Sequence, residues 1–165
     1  MSKIKLENLR NQKVGVLGLG KENIALVEFL NSAGLDIVVC DEKSEGDLSD
    51  YREEIKDLPV QFRLGPHYLD HLEDFKVVFR TPGLPYLNPK IQEAKGFGVE
   101  ISSQIKLFFN FCPCPIIGVT GTKGKGTTAT LIYEILKWKS KIQNQKSKIY
   151  LGGNIGTPPI EFLDK

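Results

Sequence analysis

The sequence predicts an α/β protein with a doubly wound, mainly parallel sheet, followed by the beginning of a second α/β unit. Short runs of β-branched residues alternate with helical patterns along the first two thirds of the chain, and glycine-rich turns follow two of these runs. This alternation is typical of a Rossmann-like domain. The 165 residues are 41% hydrophobic and 25% charged, which argues against intrinsic disorder. A net charge of +2 gives no global basic field for nucleic acid.

The first predicted unit is a strand, a glycine turn, a helix and a second strand. Val14 to Leu17 form a short strand that stops at a Gly-Leu-Gly turn, and residues 22–32 have the apolar spacing of a helix. Gly34 stands where a helix C-terminal glycine belongs, and an apolar strand then runs up to Asp41. A span of about thirty residues is the size of a βαβ crossover.

Weaker signals of the same kind continue to residue 111. We expect a helix over residues 48–58 and strands at 60–64, 75–79 and 99–102. Asn88 as N-cap, Pro89 at the first helical position and Gly96 after the last turn predict a short helix. Residues 104–111 predict one more helix.

A break in the rhythm at residues 112–115 marks a domain boundary. The Cys-Pro-Cys-Pro segment cannot continue a helix, so we expect one domain over 1–112 and the opening part of another over 113–165. Residues 116–119 predict the first strand of that second domain. The helix after it carries an apolar stripe that predicts burial, with Trp138 packed in a core; its members are Leu131, Ile132, Ile135, Leu136 and Trp138.

Cysteine and histidine spacing argues against a metal or redox centre. The three cysteines include no C-x-x-C pair, which favours reduced thiols in a cytosolic protein. His67 and His71 are one helical turn apart, but no third ligand is evident, so a solvated face is the favoured interpretation. The N-terminus has no apolar signal region and no stretch is long enough to span a membrane.

The strongest functional signal is a glycine- and lysine-rich turn between the strand at 116–119 and the following helix. Glycines let successive N–H groups curl round a phosphate, and a lysine in the turn reaches the outer phosphates. The P-loop pattern is matched approximately, since Gly126 stands where a hydroxyl is expected and Thr127 becomes the candidate Mg²⁺ ligand. The predicted ATP-binding residues are Gly121, Thr122, Lys123, Gly124, Lys125, Gly126, Thr127 and Thr128.

A second phosphate-type signal is the turn Gly18-Leu19-Gly20, with Asp41 about twenty residues later. This imitates a dinucleotide fingerprint, but Asn23 stands where the third glycine belongs. The departure favours another nucleotide over NAD(P), and a purely structural turn remains a third possibility. Two motifs for phosphate in one chain predict an enzyme that brings two nucleotide-bearing substrates together.

These motifs resemble the Mur ligase superfamily. The strand, turn and helix from Gly118 to Thr128 are similar to its ATP loop, and Gly152 to Gly156 are similar to the loop that follows it there. The Gly-Lys-Gly-Thr form of the ATP loop is similar to folylpolyglutamate synthase, a relative without a Rossmann-like N-terminal domain. The Gly18 turn, Asp41 and the Thr81-Pro82-Gly83 loop resemble the branch of the family that adds D-glutamate.

The resemblance implies an ATP-dependent amide ligase of peptidoglycan precursor synthesis. ATP would phosphorylate the carboxylate of UDP-N-acetylmuramoyl-L-alanine, and the amine of D-glutamate would attack the acyl phosphate. It implies ATP and Mg²⁺ as cofactors and a cytoplasmic monomer without nucleic-acid or membrane partners. Lys125 would be the catalytic residue, neutralising charge on the γ-phosphoryl group, and Thr127 would hold Mg²⁺. The implied UDP-substrate residues are Gly20, Lys21, Glu22, Asp41, Glu42, Lys43, Thr81, Pro82, Gly83 and Asn154.

The resemblance also implies that parts of the ligase would lie beyond Lys165, so the chain alone is expected to be inactive. Two other functions remain open at this point. One is a non-catalytic UDP-sugar-binding module, and the other is an NAD(P)-dependent oxidoreductase that uses the Gly18 turn.

Overall fold

The computed structural model describes residues 4–143, 147–153 and 156–164. The chain divides into two compact units, Met1–Phe111 and Cys112–Lys165, and each is described by itself.

Within the described residues of the first unit, five parallel strands form one sheet in the order β3-β2-β1-β4-β5. The strands are β1 Lys13–Leu17, β2 Asp36–Asp41, β3 Val60–Leu64, β4 Val77–Arg80 and β5 Glu100–Ser102. This is the strand order of a Rossmann-like sheet, so the predicted α/β class is confirmed. The chain moves outward from β1 to β3, then returns to the other side of β1 with β4, which creates the switch point between β1 and β4.

The first unit is completed by four helices in the described part of the chain: α1 Lys21–Ser32, α2 Ser49–Glu54, α3 Pro89–Gly96 and α4 Gln104–Phe111. Short 3₁₀ segments lie at Leu6–Leu9, Gly46–Leu48 and Leu72–Asp74. The predicted helix over 48–58 is shorter than expected, because the chain leaves helical geometry at Ile55 and approaches β3 through Pro59.

The core lies on both faces of the central strands. In β1 and β2 every residue after the first is buried. In β4 the first three residues, Val77 to Phe79, are buried. A parallel sheet covered on both faces reads as continuous hydrophobic runs, which is why these strands could be found in the sequence. Each core leucine, isoleucine or phenylalanine contributes about 1.5–3 kcal/mol through removal of apolar surface from water.

Helix ends follow the capping signals, with one correction. The Asn88 side chain accepts a hydrogen bond from Lys90 N at 3.0 Å, as an N-cap should. Gly34 has φ +73° directly after α1, and Leu35 N donates to Leu30 O. The prediction for Gly96 is wrong, because α3 includes it. The left-handed residue is Gly98, at φ +89°, two positions later.

The second unit contains the long helix α5, Lys125–Ile142, and a 3₁₀ segment at Pro159–Asp164. The predicted strand at 116–119 is wrong: these residues are not in a strand. A strand is held by hydrogen bonds to a neighbour, and in the described part of this unit the only β pairing is an isolated bridge between Gly152 and Thr157.

The apolar stripe of α5 is also not buried as predicted. Leu131 is 58% exposed, Ile135 62% and Trp138 68%, so Trp138 is not a core residue. The helical spacing was interpreted correctly, since residues 125–142 are helical, but spacing alone does not supply the surface that would cover the stripe.

Each of the three cysteines is free. Cys40 is buried in β2, and burial raises the pKa of its thiol to about 11, so it stays protonated at neutral pH. No helix in the described part of the chain is long and apolar enough to cross a membrane.

We predict that Gly18→Ala destabilises the first unit by about 3 kcal/mol, because Gly18 has φ +84° and a Cβ there would meet Thr81 Cγ2 at 2.5 Å. Gly20→Ala is the matched control. Gly20 lies in the same turn at φ −141°, and a Cβ there meets nothing within 4 Å. The free energy of unfolding of Gly20→Ala should fall by no more than about 1 kcal/mol, because Gly20 is the N-cap residue of α1, where alanine is disfavoured. Urea unfolding measures both, and equal losses would contradict the prediction.

Candidate functional site

The candidate site of the first unit lies at the carboxyl edge of its sheet. Parallel strands bring their carboxyl ends to one edge, and ligands of such folds bind there, outside the switch point. In this chain that edge carries the turn after β1, the residues after β2 and the loop after β4. The last residue of β1, Leu17, is in register with Cys40 of β2 and Arg80 of β4, so the three connections begin side by side.

The turn after β1 leads directly into α1. Gly18 lies against Thr81 of the β4 loop, and Gly20 is the N-cap residue of α1 without a side-chain cap. Asn23 N and Ile24 N both donate to Gly20 O. The helix therefore presents the positive end of its dipole and its first N–H groups at the switch point, an arrangement that suits an anion.

Asn23 holds this turn from inside the helix. Its buried side chain donates from Nδ2 to Leu17 O at 3.2 Å and to Gly18 O at 2.7 Å. In the sequence, Asn23 was only a departure from a glycine fingerprint, and its role was missed. The available signal was a polar residue among the apolar positions of α1, since a buried amide needs hydrogen-bond partners.

Asp41 holds the same turn from β2. Its carboxylate is buried, with Oδ2 accepting from Leu19 N at 2.7 Å and Oδ1 accepting from Lys43 N at 2.9 Å. Asp41 is thus in the expected place at the end of the second strand, and it joins the turn after β1 to the chain after β2. The side chains of Glu42 and Lys43 that follow are exposed.

The loop after β4 completes the edge. Gly83 N donates to Thr81 Oγ1 at 3.0 Å, which closes a tight turn around Pro82. Arg80 NH1 donates to Leu84 O at 2.7 Å and to Thr81 O at 3.3 Å. Sequence reasoning missed Arg80, because a single arginine after an apolar strand carries no pattern.

The structure therefore brings most of the predicted residues of the first unit to one edge. Lys21 is exposed and Glu22 partly exposed at the start of α1, while Pro82 and Gly83 are exposed on the β4 loop. Asn154, predicted to reach the substrate, lies outside the described residues.

The predicted ATP loop lies at the start of α5 in the second unit. Gly121 has φ +152° and Gly124 has φ +75°, conformations that favour glycine, and a Cβ at Gly124 would enter open space. Lys125 is the first residue of α5, and its Nζ donates to Gly121 O at 2.5 Å across the loop. Gly126 and Thr127 follow in the first helical turn. An exposed glycine loop that leads into a helix start, with a lysine beside it, fits a nucleotide phosphate chain.

The two histidines are exposed, and each ring lies beside a neighbouring carboxylate. His67 Nδ1 lies 3.0 Å from Asp70 and His71 Nδ1 lies 3.3 Å from Glu73, and both rings are exposed. In the described ranges no group of three or more His, Cys, Asp or Glu side chains could hold a metal ion.

The family described as "Mur ligase MurD-like, N-terminal domain" matches residues 12–103. The UDP-N-acetylmuramoylalanine--D-glutamate ligase of Ruminiclostridium cellulolyticum is 40% identical over 158 residues, covering 96% of this chain and 33% of its own. The ligase of the same name from Clostridium tetani is 42% identical over 155 residues, with 94% and 32% covered. The chain spans about a third of the length of these relatives.

Among solved structures, an ADP complex of N5-carboxyaminoimidazole ribonucleotide synthetase aligns with 89% of this chain and 40% of its own. Its TM-score is 0.38 at 13% sequence identity.

We predict that Asn23→Ala lowers the free energy of unfolding by about 2 kcal/mol, because Leu17 O and Gly18 O lose a buried donor. Asn31→Ala is the matched control on the same helix, since Asn31 is only half-buried and its side chain makes no hydrogen bond within the described part of the chain. Urea unfolding of both variants measures the difference. Equal stability of the two variants would show that the amide does not hold the turn.

Proposed function

This chain belongs to the Mur ligase family, in its MurD-like branch, and on that premise we propose that it serves an ATP-dependent ligase that adds D-glutamate to UDP-N-acetylmuramoyl-L-alanine. In this proposal the first unit binds the UDP-linked substrate and the second unit carries the start of the ATP site. The relatives that bear this ligase name cover nearly the whole chain at about 40% identity. Because the chain spans a third of their length, the complete activity is part of the proposal.

The observation that carries the substrate-binding role is the helix start at the switch point. Gly20 presents no side chain, and the turn after β1 is fixed by Asn23 and Asp41, so the first N–H groups of α1 are held in place before a ligand arrives. A diphosphate is the anion that this geometry suits. Lys21, exposed at the first position of α1, adds a positive charge beside it.

We assign binding of the nucleoside end of the substrate to the residues after β2. Glu42 and Lys43 are exposed and can reach a uridine, whereas both oxygens of Asp41 accept backbone N–H groups. We assign Asp41 mainly to fixing the two connections between which the nucleoside lies. Thr81, Pro82 and Gly83 line the opposite side of the switch point. The substrate contact predicted for Asn154 stays a prediction, because Asn154 lies outside the described residues.

The ATP site is proposed at Gly121 to Thr128. Lys125 would exchange Gly121 O for the γ-phosphoryl group of ATP and stabilise the charge that develops there during transfer. Thr127 would hold Mg²⁺, which neutralises phosphate charge when bound. Transfer of the γ-phosphoryl group to the substrate carboxylate would release ADP and give an acyl phosphate. The D-glutamate amine would then attack the acyl carbon, forming the amide with release of phosphate and a proton.

We place this chemistry in the cytoplasm, where ATP is available, and propose that the protein acts as a monomer on small substrates. A net charge of +2 gives no broad basic surface for nucleic acid.

Binding measurements test the proposal and its two rivals together. Calorimetric titration of the chain with UDP-N-acetylmuramoyl-L-alanine, ATP and NADH should show binding of the first two. Binding of the UDP-linked substrate without ATP would favour a non-catalytic module, and binding of NADH would favour an oxidoreductase.

We predict that Gly20→Val weakens UDP-N-acetylmuramoyl-L-alanine binding by at least about tenfold, because its side chain occupies the space in which a diphosphate meets the helix start. Its backbone is extended, so the fold should tolerate the change. Calorimetry measures the affinity. Gly34→Val, beyond the far end of α1, would not serve as a control, because the φ of +73° at Gly34 would strain the backbone of any other residue. Gly96→Ala, which lies in α3 with open space at its Cβ, is the control and should bind normally.

We predict that Lys125→Ala raises the dissociation constant for ATP by about tenfold or more, because a charge-assisted contact to phosphate is lost. Lys139→Ala is the control, since Lys139 is an exposed lysine near the other end of α5. Fluorescence titration with an ATP analogue measures both. An unchanged dissociation constant in Lys125→Ala would contradict the assignment of the ATP loop.

A further inference from the structure

Cations surround the exposed ring of Tyr86, just beyond the β4 loop. Arg80 Cζ lies 5.6 Å from the ring centroid, and Lys95 Nζ lies 5.4 Å from it. Lys95 Nζ also donates to the Tyr86 hydroxyl oxygen at 2.9 Å. Lys106 of α4 is near enough to act on the same phenol through its charge. Two positive charges, one from β4 and one from α3, therefore meet at one side chain, and the charge of Lys106 also acts on its phenol.

Carboxylates do not neutralise these charges. In the described ranges, Arg80, Lys95 and Lys106 take part in no ion pair, whereas Arg52, Arg63 and Lys90 each have a carboxylate partner. Cations held close together repel one another, and an anion bound among them removes that repulsion.

The hydrogen-bond donors of the cluster point to an oxygen-rich anion. The Tyr86 oxygen already accepts from Lys95, so its own proton remains available to donate. The hydrogen bond from Lys95, and then its charge, lower the pKa of Tyr86, which makes the phenol a stronger donor. Arg80 uses only NH1 on the carbonyls of Thr81 and Leu84, which leaves the Nε and NH2 donors of its fork.

A hydrogen bond to its backbone carbonyl holds Tyr86 in place. Gln92 Nε2 donates to Tyr86 O at 2.5 Å, which fixes Tyr86 against α3. Arg80 is the last residue of β4 and is in register with Leu17, the residue before the turn that leads to α1. A site at Tyr86 would therefore lie beside the switch point and have donors different from those of the α1 helix start.

We propose that Arg80, Tyr86 and Lys95 form a second anion site that binds a phosphate-type dianion. The anion could belong to a nucleotide ligand or be a free phosphate, since both present the same oxygens. The site does not depend on the ligase assignment, because its donors are those of the first unit alone.

Calorimetric titration with inorganic pyrophosphate at constant ionic strength tests this site in the chain that carries Gly20→Val and Lys125→Ala, because these two changes weaken the phosphate sites proposed at α1 and at the ATP loop. Tyr86→Phe removes only the hydroxyl and Lys95→Gln removes one charge. Each should weaken pyrophosphate binding by about tenfold, because charge-assisted hydrogen bonds are lost. Lys76→Gln is the control: Lys76 is an exposed lysine just before the opposite end of β4 and should leave binding unchanged.

Absence of pyrophosphate binding by this double variant, or equal binding when Tyr86→Phe or Lys76→Gln is added to it, would overturn the site. Should Lys95→Gln fail to fold, Tyr86→Phe decides alone, since Tyr86 is partly exposed and its ring is kept. Titration with UDP, in the chain that keeps Gly20 and Lys125, distinguishes the two sources: a parallel loss of UDP affinity assigns the anion to the nucleotide, and unchanged UDP affinity assigns it to free phosphate. Failure of UDP-sugar binding in every form would count against the ligase proposal while leaving the pyrophosphate result intact.

Discussion

The fold of the first unit depends on how the buried polar side chains hold the backbone between β1 and α1. Within the described residues, the buried polar or charged side chains are Asn23, Asp41, Ser102 and Gln104. Asn23 donates to Leu17 O and Gly18 O, Asp41 accepts from Leu19 N, and Gln104 Nε2 donates to Glu22 O at 2.6 Å. Three of these four side chains thus bind the backbone of residues 17–22.

Such concentration has a physical reason. Burial of an amide or a carboxylate costs free energy unless its polar atoms are hydrogen-bonded. These groups are therefore stable only where protein partners replace the hydrogen bonds that they would make to water. Each of them comes from a different element, namely α1, β2 and α4. The turn is therefore fixed by the assembled fold rather than by its own sequence. A helix start that is held in this way can receive an anion without first losing conformational freedom, which favours affinity.

The sequence predicted most of this framework but not its connections. The strands were evident because a parallel sheet buried on both faces gives continuous apolar runs, and α1 and α3 were evident from their end residues. Asp41 was found through its spacing from the glycine turn. Asn23, Gln104 and Arg80 were missed, because their partners are backbone atoms brought near by tertiary structure, and no short-range pattern records them. The wrong predictions in the second unit have a related cause. Periodicity located α5, but it could not show whether residues 116–119 pair with another strand or whether other side chains cover the apolar stripe of α5.

The two glycines of one turn show how folding and binding are separated at this site. Gly18 is required by the protein itself, because its positive φ and its approach to Thr81 leave no room for a side chain. Gly20 has neither restriction, since its backbone is extended and the space at its Cβ is open. Gly20 is the N-cap residue of α1, where serine, asparagine or aspartate would suit the helix at least as well, so the fold does not require a glycine. An incoming anion at the helix start explains why no side chain occupies the position. A glycine that the fold does not need, placed at the N-terminus of a helix whose preceding turn is held by buried side chains, is therefore better explained by the ligand than by the fold.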